Sequence, residues 1–186
     1  SALLKHIVDS GHEIGFHPGY KTYKFTENFQ RSASALKEAC QNKGIDASRL
    51  GGRQHYLRYD VAKTPQLWQA NGFIYDSSLS YADRAGFRVG VCYEYSMYDL
   101  ITRQKMILKQ RPLIAMESTV ILKCYEGLEF SSKALNRLEE LMATCKKFQG
   151  NFTLLWHNSF FMDSRGKHIY VEIVKNEVRK GNIQHE

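Results

Sequence analysis

The sequence predicts an α/β fold, and three observations carry that prediction. Short apolar runs of strand length alternate with stretches whose apolar residues fall at helical spacing. Glycines and capping residues punctuate the alternation where helices should stop and start. The apolar runs also end in ionisable side chains: His17 after Ile14-Gly15-Phe16, Arg53 and His55 after Leu50, Asp76 after Phe73-Ile74-Tyr75, Glu117 after Pro112 to Met116, and His157 after Phe152 to Trp156. In a sheet of parallel strands with helical crossovers the C-terminal strand ends share one edge. Polar residues far apart in sequence are therefore expected to converge in one cleft.

Taken in order, Leu3, Leu4, Ile7 and Val8 share a helical face over residues 2–9, with Gly11 as a C-cap. Residues 12–17 read as the first strand. A polar, aromatic loop through Tyr20 and Tyr23 leads to Thr26, an expected N-cap. Phe29, Ala33, Leu36 and Cys40 then describe an amphipathic helix over 27–42, closed by Gly44. A second strand is expected near 50–55. Thr64-Pro65 opens a helix through Leu67, Trp68 and Ala70, Gly72 stops it, and 73–76 is the third strand. Residues 93–106 and 108–116 are rich in strand formers with no helix between them, giving an irregular insertion or an antiparallel pair. Ser131 or Ser132 caps a helix that runs to Gly150, residues 151–157 form an apolar strand, and 167–180 the last helix. The order opens inside a crossover helix, so either the sheet is open at that edge or the chain is expected to be N-terminally incomplete.

A chain of 186 residues with 43% hydrophobic content has the material for one core, and a single domain over 1–186 is expected. No apolar run approaches the ~20 residues that span a bilayer, so no membrane span is expected. Cys40, Cys92, Cys124 and Cys145 lie in apolar or helical contexts without CxxC spacing, which suggests buried thiols and fits a cytoplasmic location. The net charge of +7 is spread among acids with no basic run longer than two. A solvated basic surface fits better than nucleic-acid binding, while an anionic glycan or phosphate-bearing substrate stays compatible.

Several motifs together point further. Gly11-His12-Glu13-Ile14-Gly15 with His17-Pro18-Gly19-Tyr20, then Arg53-Gln54-His55-Tyr56, then Tyr75-Asp76-Ser77-Ser78, then Leu154-Leu155-Trp156-His157-Asn158, resemble in order and spacing the polysaccharide deacetylases of the NodB-homology type. The resemblance covers most of the chain and is closest to a bacterial subgroup. It implies a deformed (β/α) barrel, here without its first strand or strands, and hydrolysis of an N- or O-acetyl group on a sugar of a surface polysaccharide. It also implies a divalent metal, commonly zinc, that polarises the acetyl carbonyl and activates water. By motif position His17 would be a metal ligand, Arg53 would orient the catalytic base, and His157 would be the general acid. Asp76 would hold Arg53 or His157, and Leu155 would line the acetyl pocket. Four residues after His17, where the family carries a second ligand histidine, stands Lys21. Tyr20 or His55 would then substitute, or the metal would be absent, as in related amide and imide hydrolases. The family's paired aspartates have no counterpart in this sequence, so little hydrolysis is expected of the chain as it stands.

The same residues have structural readings. His12 is expected to bond backbone, and Glu117 to close its strand. Asp76 with Arg53 fits a buried ion pair, and Gln54-His55-Tyr56 a packed polar network. His6, His168 and His185 read as surface residues. Tyr20, Tyr56 and Trp156 suit sugar stacking or plain packing. No Gly-x-Ser-x-Gly elbow supports a serine hydrolase, and Gly51-Gly52 reads as a turn signal. A non-catalytic glycan-binding scaffold and a metal-independent amidohydrolase are the alternatives to a deacetylase.

Overall fold

The computed structural model describes residues 2–181; Ser1 and His185 fall outside them. The chain divides into two compact units. One takes in the chain up to Leu79 and then Glu94–Pro112, the other Ser80–Tyr93 and the chain from Leu113 onward.

In the first unit the elements are α1 (Ala2–Asp9), β1 (Gly15–Phe16), α2 (Thr26–Gln41), β2 (Gly51–Gly52), α3 (Thr64–Ala70), β3 (Tyr75–Asp76), β4 (Tyr95–Asp99) and β5 (Gln104–Gln110). They build a five-stranded sheet in the order β1-β2-β3-β5-β4. Every neighbouring pair is parallel except β4 with β5, an antiparallel pair whose turn falls inside the 93–106 run rather than between it and 108–116. Phe16, Leu50, Phe73, Met106 and Leu108 from the sheet segments bury against Phe29, Ala33 and Cys40 of α2 and Trp68 of α3. At the centre the Phe16 ring stacks on Phe73 at 4.8 Å and meets Phe29 edge-on at 5.2 Å. The helical spacing of Phe29, Ala33 and Cys40 delivers all three to this core, as expected of an amphipathic helix.

Two glycines decide how closely the strands approach. A Cβ on Gly52 would sit 2.0 Å from the Phe16 carbonyl oxygen, and one on Gly51 2.2 Å from the Tyr75 ring. The pair expected to be a turn signal is therefore the strand β2 itself, and the missing side chains are what let β1, β2 and the Tyr75 ring pack together.

In the second unit β6 (Ala115–Met116) and β7 (Leu154–Leu155) form a two-stranded parallel sheet, joined by α4 (Glu117–Ile121) and α5 (Ser132–Lys147) and followed by α6 (Ser164–Gly181). Its core gathers Ile114, Ala115, Val120, Leu138, Leu141, Met142, Cys145, Ile169 and Ile173.

The strand-rich run 108–116 is split between two sheets. Pro112 lacks the N–H a ladder needs and restricts Arg111 before it. β5 accordingly ends at Gln110, and Ala115–Met116 joins the other sheet. The five-residue helix α4, unread in the sequence, follows at once. Thr26 lies inside α2, with Phe25 at the N-cap position. Cys40, Cys92 and Cys145 are buried thiols as expected, whereas Cys124 is exposed. His6 and His168 are exposed. No described helix is long and apolar enough to cross a membrane.

Replacing Gly52 by Ala is expected to lower the unfolding free energy by about 3 kcal/mol, since the neighbour that must give way is backbone. Gly19→Ala, whose Cβ meets nothing within 4 Å, serves as the control and should change it by less than about 0.5 kcal/mol. Urea denaturation of both variants reads the difference.

Candidate functional site

Because β1, β2, β3 and β5 run parallel, the residues that leave their C-terminal ends lie along one edge of the first unit: His17, then Arg53 to His55, then Ser77 and Ser78, then Arg111. Arg53 ties the edge together. Its N–H donates to Phe16 O at 2.9 Å, and its own carbonyl lies 2.8 Å from His17 Nδ1. The guanidinium donates through Nε to Ser77 O at 2.8 Å and through Nη2 to Ser77 Oγ at 2.9 Å. A carbonyl only accepts, so His17 carries its proton on Nδ1 and presents the Nε2 lone pair. That Nε2 stands 3.2 Å from Nδ1 of His55.

Behind the edge lies a buried polar chain. Ser78 donates from its hydroxyl (2.5 Å) and its N–H (3.0 Å) to the two oxygens of Asp76, and its Oγ accepts from Gln54 N–H at 2.9 Å. Gln54 in turn meets the Thr22 hydroxyl at 3.2 Å, and Thr22 donates to Gly19 O at 2.7 Å. The Asp-x-Ser spacing is the local signal for this turn, in which a carboxylate bonds the backbone two residues on. Complete burial pushes Asp76 up to about 6, against the opposing pull of the Ser78 hydrogen bonds, the Arg53 charge and the Gln110 carboxamide.

Beside the histidines stands an aromatic group. His55 opens a short 3-10 turn over His55–Leu57 in which Tyr56 (φ 57°) and Leu57 (φ 52°) both take the left-handed conformation. Tyr56 is 76% exposed and Tyr20 51% exposed, and their rings meet edge-on at 5.5 Å. Tyr20 also meets the His55 ring edge-on at 6.4 Å.

The second unit carries its own polar pair. β6 and β7 are in register, Met116 opposite Leu155, so Glu117 and Trp156-His157 leave the same end of that sheet. Glu117 is fully buried, and its Oε1 pairs with His157 Nδ1. The His157 side chain is about half exposed. A carboxylate accepting from Nδ1–H fixes the tautomer and leaves Nε2 as the exchangeable atom. Trp156 packs against Tyr170 at 5.5 Å and Phe160 at 6.3 Å, while Leu155 is half-buried.

Each expected role can be set against this geometry. His17 and His55 are together, with Arg53 bonded to the first. Asp76, expected to hold Arg53 or His157, bonds Ser78 and feels the Arg53 charge, His157 pairs with Glu117, and the hydrogen bonds of Arg53 described above go to Ser77. Burial explains the difference. Asp76 is sealed behind Ser78, whereas Glu117, expected at a strand end and read first as closing its strand, is the carboxylate that reaches a histidine. Glu117 was expected at a strand end without a catalytic role, and Ser77, Ser78 and Gln54 stood in the motifs without one. The signal for Glu117 was a carboxylate placed directly after a run of buried apolar residues.

The donor chemistry of the two histidines fits half of a tetrahedral zinc site. With Zn–N bonds near 2.0–2.1 Å, two ligand nitrogens stand roughly 3.3 Å apart, and His17 Nε2 and His55 Nδ1 are 3.2 Å apart. A backbone carbonyl on the other nitrogen, as His17 has, is the usual outer partner of a ligating imidazole. Among the described residues no group of three or more His, Cys, Asp or Glu is placed to hold a metal ion. A cavity of about 640 Å³ on the same unit lies elsewhere, lined by Glu13, Tyr75, Glu94, Lys109 and Arg111 among others, with neither His17 nor His55 in its wall. There Arg111 stacks on Tyr75 at 3.7 Å and bridges Glu13 (3.0 Å) and Glu94 (2.5 Å). Its hydrogen bond holds the Glu13 carboxyl below the ordinary range.

The Asp76 environment gives a testable sign. A carboxyl raised on folding from 3.8 to about 6 adds stability below the unfolded value, and that contribution is lost as pH rises through the folded one. Between about pH 3 and pH 7 the protein should lose roughly 3 kcal/mol that Asp76→Asn does not lose. Urea unfolding of both chains across that range measures it.

Comparison of the chain with protein-family models, with curated proteins and with solved structures finds no match.

Proposed function

We propose that the chain is a carbohydrate deacetylase domain, with the deformed β/α barrel of the polysaccharide deacetylases, that removes an acetyl group from a sugar of a bacterial surface polysaccharide. One observation carries the reading: two imidazole nitrogens 3.2 Å apart, one ring fixed by a backbone carbonyl, at the C-terminal edge of a parallel sheet. Ligands of open α/β sheets gather at that edge.

On this reading His17 and His55 would hold the divalent ion, zinc in the first place. When bound, such an ion supplies a polarised carbonyl and a water of lowered pKa. Arg53 positions His17 through its carbonyl and is itself held by Ser77, so the ring does not reorient. By its motif position His157, whose Nδ1 pairs with Glu117, would be the general acid that protonates the leaving amine through Nε2. Leu155 would line the acetyl pocket, and Tyr20, Tyr56 and Trp156 would offer faces for sugar rings to stack on. The exposure of Tyr20 and Tyr56 equally favours a second reading, a glycan-binding domain without turnover.

Titration with zinc chloride in a calorimeter separates the two. Wild type should bind zinc, and His17→Ala or His55→Ala should weaken it roughly tenfold or more with unchanged thermal midpoints in zinc-free buffer. Wild-type zinc affinity and wild-type acetate release from an N-acetylated oligosaccharide in both variants would sink the deacetylase reading. Binding of the oligosaccharide without acetate release in any variant would favour the glycan-binding one.

Where acetate release is measurable, His157→Ala should lower kcat by roughly 10²- to 10⁴-fold. Glu117→Gln should reduce kcat with little change in KM and shift the pH profile, because a carboxamide no longer selects the Nδ1–H tautomer. An unchanged pH profile in Glu117→Gln would remove its positioning role.

A further inference from the structure

We infer that Arg58, with Tyr20, Tyr23 and Tyr56 around it, forms a subsite for a saccharide that bears a carboxylate. The inference rests on the carbohydrate reading above and deepens it by naming the substrate class.

Arg58 is half-buried and cationic. Its guanidinium carbon lies 4.1 Å from the centroid of Tyr20 and 4.0 Å from that of Tyr23. Nη2 donates to the Tyr23 hydroxyl at 2.6 Å. Among the described residues no carboxylate forms an ion pair with it, whereas Arg137 and Arg165 each have one and Arg111 has two. The nearest acid in sequence, Asp60, turns its Oδ1 to the Ala62 N–H at 3.0 Å. A guanidinium has five donors, so a half-buried one with a single described hydrogen bond and no acid leaves most of its capacity unmet.

The shape of that capacity selects the ligand. With its carbon over two tyrosine rings and one N–H on the Tyr23 hydroxyl, the guanidinium keeps further N–H donors, and the planar partner that accepts two parallel N–H bonds is a carboxylate. The exposed rings of Tyr20 and Tyr56 supply apolar faces beside it, on which a pyranose ring can lie. Lys21, Lys24 and Lys63, near in sequence, are exposed and add positive potential. A uronate sugar presents a ring and a planar anion together.

The test compares a short oligogalacturonate with its methyl ester, the same rings without the charge, by calorimetric titration of the intact chain. The acid should bind roughly tenfold or more tightly than the ester, as expected for a charge-assisted hydrogen-bonded pair. That preference should shrink with added salt and vanish in Arg58→Gln. Arg58→Lys, which keeps the charge and loses the fork, should retain only part of it. Tyr56→Ala, at a largely exposed side chain, should weaken both ligands alike without moving the thermal midpoint. Equal binding of acid and ester, or an acid preference that survives Arg58→Gln in a folded variant, overturns the inference. Acetate release is not part of this readout. A deacetylase without acid preference would remove the subsite and leave the enzyme, and acid preference without acetate release would do the reverse.

Discussion

The close approach of backbone and ring at Gly51–Gly52 is the constraint on which the first unit depends. With no side chain on either residue, the Phe16 carbonyl meets the Arg53 N–H at 2.9 Å, and the Gly52 carbonyl meets Ser77 N–H at 2.8 Å. Those two bonds set three strand ends in register. His17, Arg53 and Ser77 are thereby delivered to one another by the ladder before any side-chain interaction acts, and side chains then only refine the placement. Three strands of two residues each would be marginal alone. The aromatic cluster of Phe16, Phe29, Trp68 and Phe73 underneath supplies the apolar burial that strands so short lack.

The two buried acids show how similar sequence contexts diverge. Asp76 and Glu117 both follow a short apolar strand and both are fully buried. Asp76 finds hydrogen-bond donors two residues along its own chain, which satisfies the carboxylate locally. Glu117 opens a helix instead of a turn, and its longer side chain reaches across to the neighbouring strand end. A difference in the next few residues, Ser77-Ser78 against Ser118-Thr119, thus separates an acid bonded within its own turn from one that orients a histidine.

Much of the architecture was legible because helical periodicity is a long-window signal. α2, α3 and α5 and the order of parallel strands were readable from Phe29/Ala33/Cys40, Thr64-Pro65 and Leu138/Leu141/Cys145. The break at Pro112 was visible as a residue, but that the run after it joins another sheet was not, because strand pairing is not written in a local run. Of the site, His17, Arg53 and His55 were legible because each follows an apolar run. The pairing of Glu117 with His157 was not, because it joins positions forty residues apart through a register that only the folded sheet defines. Arg58 was silent for a related reason: a lone arginine among tyrosines carries no periodicity.

The left-handed pair Tyr56–Leu57 has a consequence for how this surface would meet any ligand. Two consecutive residues with a Cβ in that conformation cost roughly 1–2 kcal/mol each, and folding absorbs that penalty once. The Tyr56 ring is then tethered to a backbone with few neighbouring wells to visit, so docking on it freezes little additional motion. Association should therefore show a small unfavourable conformational entropy for so exposed a side chain, and an on-rate not slowed by loop ordering.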